Sequence, residues 1–173
     1  MRVITAPEKY EYHLGDVKCF LAGGITNCPD WQSKVIKYVQ QMDKEMDLRR
    51  LVLFNPRQKN FPINNPNAAE EQIKWEFDRL DNCSIFTMYF CNSDSDQPIC
   101  MYELGRNIVC IQHEYENDWE SRIIISVEDG YKRQKDVQVQ VNLATHNNLI
   151  IMNGATPEQH AKAIIAAYNM LIK

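Results

Sequence analysis

Two glutamates and a pair of glycines are the residues of this chain whose types and positions could do chemistry. Glu103 follows Tyr102 and precedes Leu-Gly, and Glu76 follows a tryptophan in a helical segment. A carboxylate can act as a nucleophile or as a general acid or base. Gly23 and Gly24 directly follow an apolar segment, and a glycine backbone can approach a ligand closely because it has no Cβ.

Each of these residues also has a purely structural explanation. Adjacent glycines can serve a turn that needs positive φ, and a glutamate in the first turn of a helix can merely favour that helix. We expect Glu103 to open a helix, whose positive end would keep its carboxylate ionised. Periodicity alone places both Glu76 and Asp78 on a solvated helix face and points them in different directions.

Other kinds of site are not supported by the pattern of residues. The four histidines, at positions 13, 113, 146 and 160, have no spacing typical of zinc ligands. The six cysteines form no C-x-x-C pair, so we expect reduced core thiols in a cytoplasmic protein. The glycines match neither the dinucleotide-binding nor the P-loop fingerprint.

Composition excludes several classes of protein. The 173 residues suit a single domain over 1–173, and 19 basic against 23 acidic residues give a net charge of −4. Binding to a nucleic acid polymer is disfavoured by this balance, although one or two local cations could still bind a small anion. No apolar run approaches the roughly 20 residues that span a bilayer, and the first residues lack the apolar region of a secretory signal.

Apolar segments alternate with helix signals along the whole chain. Strands are predicted at 17–22, 51–54, 84–91, 122–127 and 149–152, and helices at about 31–47, 67–81, 102–109, 136–144 and 156–172. This alternation predicts an α/β protein with a five-stranded parallel sheet and helices on both faces, a three-layer arrangement.

Two helices are predicted in more detail. Asn67 and Thr156 are each followed three residues later by Glu or Gln, which is typical of a capping box. Ile73, Phe77 and Leu80 recur at helical spacing and predict one apolar face for the second helix. Since ligands of parallel sheets bind at the carboxyl ends of the strands, the candidate loops are 22–30, 55–67, 91–105 and 128–135.

In their order and placement these motifs resemble the nucleoside 2-deoxyribosyltransferase-like superfamily. The matching segments are residues 20–25, residues 75–76, the third strand, residues 102–105 and residues 130–137. The resemblance covers roughly 17–170. It implies a flavodoxin-like sheet of five parallel strands and no metal or organic cofactor.

The resemblance also implies an activity, the cleavage of an N-glycosidic bond. Glu103 matches the glutamate that attacks C1′ of the sugar and forms a glycosyl-enzyme ester. Glu76 matches the second acidic residue, which protonates or holds the departing base, with Asp78 as the backup. The best-known transferases carry Asp where this chain carries Glu76.

Further residues are implied to bind the substrate. Gly23 and Gly24 would let the first loop close over the base or sugar, and Phe90 would pack against the ligand. Tyr102 stands where transferases often carry a smaller residue. Asp96, or its neighbour Asp94, lies in the loop that often contacts the sugar hydroxyls.

Three functions remain open at this point. The sugar could pass to another base, as in a transferase, or to water, as in the nucleotide N-hydrolases of the same superfamily. Arg57, Lys59 or Arg133 could then recognise a phosphate through charge-assisted hydrogen bonds. A non-catalytic nucleoside- or nucleotide-binding module of the same fold is the third possibility.

A homo-oligomer is also implied, because members of this superfamily commonly assemble and a neighbouring subunit often completes the site. The segment 142–148 and the region near Lys173 are the places where we expect such a contact.

Overall fold

The computed structural model describes all of residues 1–173, and it contains one parallel sheet between two layers of helices. The strands are β1 Arg2–Thr5, β2 Val17–Gly23, β3 Leu51–Asn55, β4 Ile85–Phe90, β5 Ile123–Val127 and β6 Ile151–Asn153. The helices are α1 Trp31–Met42, α2 Ala68–Asp81, α3 Pro98–Glu114, α4 Gln134–Ala144 and α5 Pro157–Leu171. The strand order is β1-β3-β2-β4-β5-β6, and every neighbouring pair is parallel.

The α/β class and the three layers are therefore confirmed, whereas the number of strands is six rather than the predicted five. The additional strand is β1, which pairs in parallel with β3 at one edge of the sheet. Its four residues are all only partly buried. A short edge strand of this kind carries little of the apolar signal that identifies a buried strand from the sequence.

The two faces of the sheet carry two separate apolar cores. On one face Phe20, Phe54 and Phe86 pack against α2, α3 and α4, in a cluster of 23 buried residues. On the other face Leu21 and Leu53 pack against α1 and α5, in a cluster of 18 buried residues. Successive side chains of a strand point to opposite faces, so the central strands supply both cores, and every residue of β3, β4 and β5 is buried.

The predicted capping boxes have different outcomes. At α5 the Thr156 side chain accepts from the Gln159 backbone, and the Gln159 side chain accepts from the Thr156 backbone, so that box is confirmed. At α2 the cap position is Asn67 and the helix begins where expected, but Asn67 makes no side-chain capping bond. That second box is wrong.

The predicted apolar face of α2 is wrong for two of its three residues and confirmed for Leu80. The side chains of Ile73 and Phe77 are 63% and 54% exposed, whereas Trp75 and Leu80 are buried. Trp75 contacts the rings of Phe20 and Phe54, with ring centroids 6.3 and 6.2 Å apart. The ring of Trp75 therefore determines which face of α2 is buried. The spacing of Ile73, Phe77 and Leu80 did not indicate this face. No helix of the chain combines the length and the hydropathy required to cross a lipid bilayer.

Candidate active site

A cavity of about 200 Å³ opens at the carboxyl ends of the central strands. Its lining includes the end of β2 with the loop that follows, residues 22–26, and Pro56 after β3. Ser95 and residues 97–100, around the start of α3, form a further wall. Glu76 and Glu103 complete the lining with two carboxylates. This is the position at which parallel sheets place their ligands.

The two carboxylates come from different helices, Glu76 from α2 and Glu103 from α3. Burial is the largest cause that raises the pKa of Glu103, and the charge of Glu76 raises it further, to about 8. Burial also raises the pKa of Glu76, against a hydrogen bond from Gln72 that lowers it. Arg79 and Arg106 form salt bridges with Asp78 and Asp81 instead, although the charge of Arg106 lowers the pKa of Glu103 to some extent. Each carboxyl therefore releases its proton less readily than a carboxyl in water.

The expectation that a helix N-terminus keeps Glu103 ionised is wrong. The helix α3 begins at Pro98 rather than near 102, so Glu103 lies in its second turn, beyond the first turn in which the helix dipole acts strongly. Burial and the neighbouring Glu76 dominate there, and both favour the protonated form.

The two glycines allow backbone and side chains to pack closely around the end of β2. A Cβ atom on Gly23 would lie 2.4 Å from the carbonyl oxygen of Tyr89. A Cβ atom on Gly24 would lie 2.4 Å from Cys28 Sγ and 2.6 Å from Gln97 Oε1. All three distances are far below van der Waals contact, so any larger residue would displace this wall of the cavity.

The wall formed by Gly24 is held by three side chains from separate parts of the chain. Its N–H donates to Gln97 Oε1 at 3.2 Å. Its carbonyl accepts from Trp31 Nε1 and from Arg57 Nη2, both at 3.1 Å. Gln97 is only 3% exposed and has a φ of 50°. Sequence reasoning missed Gln97 and Trp31, because their contacts span 73 and 7 positions and follow no local pattern.

The three cations considered for phosphate recognition do not line the cavity. Arg57 donates to Gln32 Oε1 at 2.8 Å and to the carbonyl oxygen of Pro29 at 3.0 Å, besides Gly24. Arg133 forms a salt bridge with Asp136 at 2.9 Å. The guanidinium of Arg57 therefore holds the loop after β2, and its donors are already used within the protein.

Of the eight candidate site residues, the cavity brings together Gly23, Gly24, Glu76 and Glu103, and it does not include the other four. Asp78 is exposed and paired with Arg79. Tyr102 is 68% exposed on α3. Asp78 is thus separated from Glu76 on α2, as the helical periodicity indicated.

Phe90 and Asp96 lie behind and beside the cavity. Phe90 is fully buried and stacks on Tyr131, with ring centroids 5.1 Å apart. Asp96 is exposed and pairs with Lys132 at 3.5 Å. Phe90 therefore serves the apolar core, and Asp96 braces the loop after β4 against the loop after β5.

One residue that sequence reasoning missed contacts a candidate carboxylate directly. Gln72 Nε2 donates to Glu76 Oε1 at 2.5 Å and to the carbonyl oxygen of Pro56 at 2.7 Å. The i, i+4 spacing of Gln72 and Glu76 on one helix is a signal that could have found it. No group of three or more His, Cys, Asp or Glu side chains is arranged to hold a metal ion, and all six cysteines are free.

The profile of the family described as nucleoside 2-deoxyribosyltransferase like matches residues 16–115. The match covers more than half of the chain and runs from β2 to the end of α3, so it contains the glycine pair and both carboxylates. The chain belongs to this family. No curated protein matches it at a significant level.

Proposed function

We propose that this protein cleaves the N-glycosidic bond of a nucleoside through a covalent intermediate on Glu103 and transfers the sugar to another base. The observation that carries this proposal is the meeting of Glu76 and Glu103 in one cavity that no lysine or arginine lines. Membership of the nucleoside 2-deoxyribosyltransferase-like family supports the same chemistry and a nucleoside as the substrate class.

In the first step a carboxylate oxygen of Glu103 bonds to C1′ as the bond between C1′ and the base nitrogen breaks. The bonding electrons leave with the base, and Glu76 supplies the proton that neutralises it. The transition state has oxocarbenium character, and the nearby anionic Glu103 stabilises it.

The two roles require that the proton lies on Glu76, and not on Glu103, when the nucleoside reacts. Glu103 attacks only when it is ionised, so the proton must then lie on Glu76, which is the position from which the base can take it. In the second step a nitrogen of the acceptor base bonds to C1′ and the ester bond to Glu103 breaks. The proton of that nitrogen returns to Glu76, so the enzyme ends as it began.

The charge of the cavity favours a nucleoside over a nucleotide. A phosphate beside two partly buried carboxylates would be repelled, and the cavity offers no basic side chain to compensate. Arg57 is already engaged by backbone carbonyls and by Gln32. The nucleotide hydrolase therefore ranks below the nucleoside transferase.

The experiment that tests this proposal is the release and exchange of base from a panel of nucleosides and 5′-nucleotides. We expect exchange with a second base for the wild type, and its loss in Glu103→Gln. Glu71→Gln is the matched control, because Glu71 is an exposed residue of α2 outside the cavity. Release of base at the same rate without an acceptor would indicate a hydrolase. Ligand binding without any turnover would indicate a binding module.

We also propose that the protein assembles as a homo-oligomer through α2 and α3. Ile73 and Phe77 on α2, with Tyr102 and Val109 on α3, are each more than half exposed. Apart from its two neighbours and the backbone of its own helix, no part of the chain lies within 4 Å of the place where a Cβ on Gly105 would stand. A glycine inside an exposed helix costs about 0.5–1 kcal/mol relative to alanine. Close packing of a second copy against α3 would explain why position 105 carries a glycine.

Light scattering tests the assembly. We expect Val109→Lys to reduce the molar mass to that of one chain of 20.3 kDa. Leu143→Lys is the matched control, since Leu143 is 69% exposed on α4 and belongs to the segment 142–148. Dissociation by the control alone would place the contact in that segment instead.

A further inference from the structure

The side-chain amide of Gln72 has a partner for each of its polar atoms. Its Nε2 donates both hydrogens, one to Glu76 Oε1 at 2.5 Å and one to the carbonyl oxygen of Pro56 at 2.7 Å. Its Oε1 accepts from Gln58 Nε2. The Pro56 carbonyl can only accept, so the NH₂ group of Gln72 must face it, and the amide cannot be rotated by 180°. The second hydrogen of this NH₂ group then faces Glu76.

The same three-residue segment holds both sides of the cavity. Pro56 and Gln58 fix Gln72 on α2, while Arg57 between them holds the carbonyl oxygens of Gly24 and Pro29 on the opposite wall. The position of Glu76 relative to the glycine loop is therefore set by contacts to one short stretch of backbone after β3.

The bond to Gln72 makes the two oxygens of Glu76 unequal. Oε1 accepts a hydrogen from an amide that has no proton to take or give at ordinary pH, so a proton on Glu76 belongs on Oε2. We propose that Gln72 is a positioning residue for Glu76, which it holds through Oε1 so that Oε2 carries the proton delivered to the departing base. The proton-delivery part of this inference rests on the proposed function, whereas the orientation of the carboxylate does not.

The bond also has an effect that a merely structural contact would not have. An N–H donor stabilises the ionised form of a carboxylate, so it opposes the effect of burial on the pKa of Glu76. Without the donor, Glu76 would keep its proton to a higher pH and its side chain would lose one fixed orientation. Both changes would reduce kcat more than they affect binding of the nucleoside.

The experiment compares Gln72→Met with Gln40→Met. Methionine keeps the length of the side chain and removes the donor, and Gln40 is an exposed residue of α1 that serves as the matched control. The titration of the Glu76 carboxyl is followed by NMR of carboxyl-labelled glutamate, with Glu76→Gln to assign the signal. We expect the midpoint to rise by about one pH unit in Gln72→Met, as for the loss of one hydrogen bond to a carboxylate, and to stay unchanged in Gln40→Met.

Kinetics on a nucleoside supply the second readout. We expect kcat to fall by about tenfold in Gln72→Met, with KM within about threefold of the wild type and the pH profile displaced in the same direction as the titration. An unchanged titration midpoint in Gln72→Met would overturn the inference, as would a lower kcat with an unshifted pH profile. The NMR titration needs no substrate, so a displaced midpoint in a protein that turns over no nucleoside would uphold the orienting role of Gln72 and reject the proposed reaction.

Discussion

Two buried polar clusters lie on opposite faces of the sheet, and burial is the largest cause of a shifted pKa in each. Burial raises the pKa of Glu103 to about 8 on the face covered by α2 and α3. Burial also lowers the pKa of His160 to about 3 on the face covered by α1 and α5. His160 Nδ1 lies 2.7 Å from the hydroxyl of Ser126, so this second cluster has the residue types of a hydrolytic pair.

The surroundings of the two clusters differ. His160 and Ser126 have no exposed surface, and the rings of Trp31 and Tyr89 lie 5.9 and 5.3 Å from the imidazole. His160 Nε2 has no hydrogen-bond partner. Glu103 shares a cavity with a second carboxylate instead. A displaced pKa therefore reports burial, and only a cavity with a second convergent group identifies a candidate site.

The largest expected effect is on the cluster of Glu76 and Glu103, which lines the cavity and is called the open cluster here. Glu103→Gln keeps the shape of the side chain and removes the nucleophile, so we expect base exchange to fall by about 10³-fold or more. Steady-state rates of base exchange measure this loss. A loss smaller than tenfold would mean that Glu103 is not the nucleophile.

His160 and Ser126 form the closed cluster, which has no exposed surface. We expect a substitution there to change the stability of the protein and not its activity. His160→Ala leaves a cavity and removes the hydrogen bond between the imidazole and the Ser126 hydroxyl, so we expect the free energy of unfolding to fall by about 3 kcal/mol. The rate per folded molecule should stay within about twofold of the wild type. Denaturant unfolding and kinetics on the same preparation check both, and a specific loss of turnover would give this cluster a role in the reaction.

The open cluster should be destabilised by its own charge. The folded-state pKa of Glu103 is about 8 and lies above the ordinary value of 4.5, so the folded state loses stability as pH rises from 4.5 to 8. At about 1.4 kcal/mol for each pH unit, the full effect would be roughly 5 kcal/mol. Because Glu103 is only partly buried and solvent screens its charge, we expect Glu103→Gln to raise the free energy of unfolding by on the order of 2 kcal/mol at pH 8. The gain should vanish below pH 4.5. Urea unfolding at both pH values measures it, and an equal gain at each would exclude ionisation as the cause.

The closed cluster should show the opposite dependence on pH. The folded-state pKa of His160, about 3, lies below the ordinary value of 6.5, so unfolded chains take up the proton first as pH falls. The stability advantage of the wild type over His160→Ala should therefore shrink by about 1.4 kcal/mol per pH unit below 6.5. Unfolding of both proteins at pH 7, 6 and 5 checks this slope. A constant difference would mean that His160 takes up a proton as readily in the folded protein as in the unfolded chain.

The sequence indicated the regular part of the fold and four of the residues that line the cavity. Repeated strand and helix signals identify β2 to β6 and the five helices because each is long or strongly apolar. Glu76, Glu103, Gly23 and Gly24 were found because they follow strands or match family motifs. Their positions depend mainly on local chain geometry.

What could not be predicted depends on packing between distant segments. The edge strand β1 gains its structure only from pairing with β3, some 50 positions away. The titration of Glu103 depends on the approach of Glu76 from another helix. Gln97 reaches Gly24 across 73 positions, and no local pattern specifies such a contact.

Trapping of the intermediate would test the role of Glu103 most directly. A nucleoside with fluorine at C2′ destabilises the oxocarbenium-like transition states and slows breakdown of the ester, so intact and peptide mass spectrometry can locate the sugar. We expect one glycosyl group per chain, on the peptide that contains Glu103, and none in Glu103→Gln. A label on the peptide that contains Glu76, or turnover with no label on either, would contradict a covalent intermediate on Glu103.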